Sequence, residues 1–147
     1  MARLPSSVLF ACNYNAIRSP MAAALLRQLR GQRVFVDSVG LRAAPVDPFA
    51  VAVMAEVGVD LGRHQPKTFE DLEDTSFDLV ISLTPEAQHR AVELTRTFSC
   101  EVEFWPSYDP TIVEGSRSEI LAAYRALRDN LAKRVRERFP PEPPGEA

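Results

Sequence analysis

The chemistry of this chain is concentrated between Cys12 and Arg18, which have five residues between them in Val8-Leu9-Phe10-Ala11-Cys12-Asn13-Tyr14-Asn15-Ala16-Ile17-Arg18-Ser19-Pro20. An apolar, strand-like run gives way here to a helix-forming one. A loop at such a junction directs several backbone N–H groups inward, and the helix start adds the positive end of its dipole, so an anion is held readily. A thiol in that field is favoured as the thiolate, the form that attacks, while an arginine fork takes two oxygens of a tetrahedral oxyanion. Cys12 therefore reads as a nucleophile and Arg18 as a clamp. The spacing alone recurs by chance, as short motifs do. Its context gives it meaning: Pro20 suits the first turn of a helix, and Met21-Ala22-Ala23-Ala24-Leu25-Leu26 are strong helix formers.

The elements that must position this pair follow from periodicity and punctuation. Val8–Ala11 is a short buried strand, and a helix from about Ser19 to Arg30 follows, with Gly31 ending it. Val34–Val39 predicts a second strand and Gly40–Val46 a loop. Asp47-Pro48 reads as an N-cap with proline at N1, opening a helix through Val57 that Gly58 closes. Thr68 and Asp71 open a shorter helical piece, and Phe77–Leu83 is a third strand. Thr84-Pro85 starts a helix to about Thr95, and Glu101–Trp105 is a fourth strand. After the loop Pro106–Gly115, the capping box Ser116-Arg117-Ser118-Glu119 opens a helix with Ile120, Tyr124, Leu127, Leu131 and Val135 on one stripe.

Strands alternating with helices imply an α/β fold, a parallel sheet covered on both faces, with ligands held at the carboxyl ends of the strands where their order reverses. The 147 residues suit one domain, 1–139, followed by a proline-rich segment, 140–147, expected to be disordered. A net charge of −3 without a long basic run argues against nucleic acid, and no apolar stretch has bilayer length. The first residues lack a secretory pattern, and two cysteines make no disulfide framework, so a cytoplasmic location is expected. No cluster of zinc ligands is present in the sequence, and no metal or cofactor is expected.

The chain resembles the low-molecular-weight protein tyrosine phosphatases in its Cys12-to-Pro20 segment and in Asp109-Pro110. The similarity runs on through Asp37-Ser38-x-Gly40, Pro45-Val46-Asp47-Pro48 and Phe77-Asp78-Leu79-Val80-Ile81. It implies a single three-layer domain with a four-stranded parallel sheet ordered 2-1-3-4. It also implies a phosphocysteine mechanism: Cys12 attacks phosphorus, Asp109 protonates the leaving oxygen and then takes a proton from water. The implied phosphate-binding set is Asn13, Tyr14, Asn15, Ala16, Ile17, Arg18 and Ser19. Ser19 would also hydrogen-bond the Cys12 sulfur, and Asn15, in a left-handed conformation, would be braced by Ser38 and His64.

This sequence departs from that pattern in several places. Tyr14 stands where a glycine is usual and must point to the rim or to solvent, and Ile17 stands where a second cysteine is frequent. Thr111-Ile112 replaces aromatic residues after Asp109-Pro110, and the loop after Gly40 lacks a tryptophan, which removes walls for a phosphotyrosine ring. The expected partner is a phosphorylated protein or a small phosphomonoester, and oligomeric state is not legible. The related thioredoxin-coupled arsenate reductases share the loop but need two cysteines after the third strand. Ser82–Arg90 contains none, so arsenate reduction here would need an external thiol. A catalytically weak anion-binding module is the remaining alternative. Cys100 reads as an inert thiol, His89 as a surface residue and Trp105 as packing.

Overall fold

The computed structural model describes residues 4–73 and 76–141; the last six residues of the expected tail, and the first three of the protein, lie outside them. The apolar run at the N-terminus is strand β1 (Ser7–Cys12), hydrogen-bonded in parallel to β2 (Phe35–Gly40) on one side and β3 (Leu79–Ser82) on the other. β4 (Glu101–Phe104) pairs in parallel with β3, so the order is β2-β1-β3-β4. A central parallel strand is covered on both faces and reads as continuous apolar sequence, which is why Val8 to Ala11 shows no alternation.

The two faces separate cleanly along β1. Val8, Phe10 and Cys12 join the core beneath helices α1 (Arg18–Arg30), α2 (Pro48–Ala55) and α4 (Arg117–Arg138), whereas Leu9 and Ala11 join a smaller core with Phe69, Phe77, Ala87 and Ala91. Ala87 and Ala91 belong to α3 (Pro85–Leu94), the helix of the opposite face. Trp105 is buried in the larger core, its ring edge-on to Phe10 at 5.9 Å.

Capping explains most helix boundaries. Asp47 accepts from the N–H groups of Phe49 and Ala50, Thr84 from Ala87, and Ser116 and Glu119 exchange the two bonds of a capping box. Two endings differ from expectation. α2 stops at Ala55, because Gly58 at φ 81° reverses the backbone, with Gly58 N donating to Ala55 O and Val59 N to Met54 O. Gly31 ends α1 in an ordinary right-handed conformation, so it is not a left-handed cap. The Thr68 piece is one turn of 3-10 helix, Phe69–Asp71, and similar turns occur at Leu61–Arg63 and Pro110–Ile112. Among the described residues no helix is long and apolar enough to cross a membrane.

Candidate active site

β1 lies where the sheet changes direction, since the path runs from it to β2 on one side and returns to β3 on the other. Cys12 ends that strand and is 2% exposed; the loop Asn13–Ile17 then climbs to the first residue of α1, Arg18. Every carbonyl from Cys12 to Ile17 is tied to the protein. The amides of Leu41, Arg42, Ala44 and Asp47 donate to the carbonyls of Cys12, Asn13, Tyr14 and Ala16 at 2.9–3.1 Å, and Met21 N donates to Ile17 O at 3.0 Å. His64 Nε2 lies 2.9 Å from Asn15 O.

With the carbonyls drawn outward, the N–H groups are left to the concave side. Among the described residues no acceptor takes the amides of Asn13 to Ile17, and no side chain caps the start of α1. These unspent donors and the dipole of a thirteen-residue helix make a cradle for a tetrahedral anion. The path requires Asn15 at φ 54°, a left-handed conformation that asparagine tolerates better than most residues. It also requires a glycine beside it: a Cβ on Gly40 would lie 2.6 Å from Asn15 N and 2.8 Å from Tyr14 C.

Asn15 is fully buried and both hydrogens of its side-chain carboxamide are used. Nδ2 donates to Ser19 Oγ at 2.9 Å and to Ser38 Oγ at 3.0 Å, and Oδ1 accepts from Lys67 N at 2.9 Å. Ser19 Oγ lies 2.9 Å from Cys12 Sγ and 3.2 Å from Val39 O. One hydroxyl proton therefore has two destinations. It bonds Val39 O when the thiol donates to Ser19 Oγ, and turns to the sulfur when Cys12 is a thiolate. Burial pushes His64 below the ordinary imidazole range, and its bond to Asn15 O opposes that only in part, which suits a neutral ring donating Nε2–H to a carbonyl.

Arg18 is tied to the loop that carries Asp109. Arg18 Nη1 donates to Ser107 O at 3.0 Å, linking the guanidinium to the loop that carries Asp109; Ser107 N in turn donates to Leu83 O. Asp109 is half-buried and heads the 3-10 turn Pro110–Ile112. Its Oδ1 accepts from Thr111 N at 2.9 Å and from Thr111 Oγ1 at 2.6 Å, while no described residue donates to Oδ2. Asn13 is held on its own side, with Thr84 Oγ1 donating to Oδ1 at 2.7 Å and Nδ2 donating to Glu86 Oε1 at 3.2 Å.

The structure joins Cys12, Asn15, Ser19, Ser38 and His64 in one hydrogen-bond network, while the side chains of Asn13, Arg18 and Asp109 are held outside it by Thr84, Glu86, Ser107 and Thr111. Ala16 and Ile17 contribute only backbone, with Ile17 packed on the larger core. The Tyr14 side chain is 55% exposed, and Ile112 after Asp109-Pro110 is 73% exposed. Sequence reasoning missed Lys67, Thr84, Glu86 and Ser107. Thr84 was visible as a cap, but neither its second bond nor the backbone roles of Lys67 and Ser107 leave a residue-type signal. Cys100 is half-buried, its thiol pushed up by burial, and His89 is a surface residue paired with Glu93. Among the described residues no group of three metal-ligating side chains comes together.

Known proteins resemble this chain along most of its length. An arsenate reductase of Halalkalibacterium halodurans is 32% identical over 130 residues, covering 88% of this chain and 91% of that protein. A glutaredoxin arsenate reductase of Synechocystis is 37% identical over 129 residues, covering 87% and 92%. In fold, a tyrosine phosphatase of Erwinia amylovora superposes with a TM-score of 0.73 at 19% identity, covering 92% of this chain and 91% of that one. The sequence model for low molecular weight phosphotyrosine protein phosphatase matches residues 7–138. With nearly the whole chain inside that match, the protein belongs to the low molecular weight phosphotyrosine protein phosphatase family, enzymes of the protein tyrosine phosphatase type, and is related to the arsenate reductases that share its fold.

Proposed function

We propose that the protein is a cysteine-dependent phosphomonoester hydrolase acting through a phosphocysteine, on a phosphorylated protein or a small phosphomonoester. The folded unit that carries this chemistry is residues 1–139. The observation that supports the reading best is the placement of Cys12 Sγ, 2.9 Å from Ser19 Oγ, at the root of a loop with its amides unspent. Cys12 attacks phosphorus as the thiolate while Arg18 and the amides of Asn13 to Arg18 hold the equatorial oxygens. The P–O bond to the leaving group breaks and Asp109 delivers a proton to the departing oxygen. Water then attacks the phosphocysteine, Asp109 takes its proton, and the P–S bond breaks with its electron pair returning to sulfur. The Ser19 hydroxyl donates to that sulfur as charge returns.

A second reading, arsenate reduction, is favoured by the two relatives of that activity. Arsenate bound to Cys12 through sulfur is reduced only when another thiol attacks that sulfur, leaving a disulfide and passing two electrons to arsenic. Cys100 is badly placed for this. It precedes the first residue of β4, whereas Cys12 is the last residue of β1, and in a parallel sheet these are opposite ends. A strand of this length separates its ends by about 17 Å. Reduction by this protein therefore calls on an external thiol.

The test is hydrolysis of para-nitrophenyl phosphate with and without chelator, beside arsenate reduction supplied with glutathione and glutaredoxin. Hydrolysis that survives chelator and is abolished in Cys12→Ser, which still binds phosphate, is the expected result. Hydrolysis retained in Cys12→Ser overturns the covalent mechanism. Arsenate turnover without phosphatase activity transfers the assignment to the second reading.

A further inference from the structure

The segment from His64 to Thr68 runs beside the carboxyl end of β2 without becoming a strand. Gly40 N donates to Lys67 O at 2.9 Å, and Gly40 and Thr68 form an isolated parallel bridge. Two of its groups reach the anion loop: His64 Nε2 at Asn15 O and Lys67 N at Asn15 Oδ1. The Lys67 ammonium is paired with Asp37 Oδ2 at 2.6 Å, with the two side chains only 34% and 18% exposed. The other oxygen of that carboxylate, Oδ1, accepts from Ser38 N at 2.8 Å. Beside Ser19, which also accepts from Nδ2, Ser38 and Lys67 hold the Asn15 carboxamide, one accepting from Nδ2 and the other donating to Oδ1.

We propose that the Lys67–Asp37 ion pair positions the anion cradle. Asp37 ties together, through its two oxygens, two of the residues that hold Asn15, one at each end of its carboxamide, and so helps keep the left-handed turn on which the inward amides depend. This inference rests on the reading of residues 12–18 as the phosphoryl site. The segment 64–68 is otherwise held by the bridge at Gly40, the His64 bond to Asn15 and the 3-10 turns on either side, the second capped by Thr68 and Asp71; among the described residues the ion pair is its one side-chain tie to β2. Loss of the pair leaves the Lys67 amide free to withdraw from Asn15, and a left-handed residue without its partners relaxes toward the commoner conformations. Among the described residues neither side chain bonds to the loop 12–18, so both are positioning residues.

The test compares Lys67→Met, which keeps the backbone amide and the aliphatic stem, with Lys67→Arg, which keeps the charge. The readouts are the inhibition constant of inorganic phosphate, kcat and KM for para-nitrophenyl phosphate, and the ratio of Cys12 alkylation rates by iodoacetate and iodoacetamide. The anionic reagent reports the cradle and the neutral one reports only sulfur access. Lys67→Met is expected to weaken phosphate binding and lower the alkylation ratio by about fivefold or more, with Lys67→Arg close to wild type and Asp37→Asn adding little on top of Lys67→Met. Unchanged phosphate binding and alkylation ratio in Lys67→Met overturn the inference, even with a lowered melting temperature, because the pair is then purely structural. Should Lys67→Met not fold, Asp37→Asn is judged by the same two readouts. A wild-type protein that neither binds phosphate nor prefers iodoacetate overturns the phosphatase reading itself, and this inference with it.

Discussion

At the residue scale the division of labour between Cys12 and Asp109 is what an experiment separates most sharply. Thr111 occupies one oxygen of Asp109 with two hydrogen bonds, and Oδ2 is the oxygen left to carry a proton. Asp109→Asn keeps the shape and the bonds from Thr111 to an oxygen but has no acidic proton to give. Turnover of phenyl or alkyl phosphates is expected to fall by about a hundredfold or more, against less than about tenfold for para-nitrophenyl phosphate, whose leaving group needs little protonation. Steady-state kinetics over leaving groups of graded pKa measures this, and an equal loss across the series would make Asp109 structural. Candidates of this kind stand out in a sequence because the chemistry proposed for them belongs to their side chains. Lys67 and Ser107 were not, since what they bring to the site is a backbone N–H and a backbone carbonyl, which nearly any residue carries.

At the element scale the site is a contact between two turns, the one after β1 and the one after β2, pressed together at Gly40. The Cβ of an alanine there would also meet Arg42 O at 2.5 Å, so the backbone of both turns has to move. Gly40→Ala is expected to cost about 1–3 kcal/mol in stability. Its activity is expected to fall further than the stability loss explains, as the amides of Tyr14 and Asn15 shift; urea unfolding beside kcat/KM at a temperature where the variant is folded checks both. The same contact shows what sequence reading reaches. The strands and the four helices, in their sequence along the chain, were legible from periodicity, caps and prolines, because those signals are local, whereas the sheet order 2-1-3-4 came from the family resemblance. Which turn presses on which, and hence why the residue after Val39 must be glycine, depends on pairing between strands far apart in sequence. Where the ends moved, as in α2, a reversal at Gly58 overrode a helix-forming Glu56 and Val57.

At the scale of the whole molecule, the brace on Asn15 links folding to pH. His64 is held below its ordinary value of 6.5 by burial, so the unfolded protein takes up that proton first. Its contribution to stability is fully present above 6.5 and is lost as the pH falls through the lower value of the folded state. Glu56, held at about 2 by Arg125 and Arg128, titrates in a separate window, giving up its contribution only as the pH falls from 4.5 toward about 2. Urea midpoints taken at steps between about pH 7 and pH 5 are expected to decline in wild type and to flatten in His64→Gln. The tied carbonyls of Cys12 to Ile17 reach further still. Their partners are mostly amides of the stretch 41–47, and backbone groups persist through substitution as side chains do not. A tyrosine at position 14 and an isoleucine at position 17 are therefore changes of trim. The arrangement proposed to grip an oxyanion is thus written in the path of the backbone, which leaves side-chain composition free to vary around it.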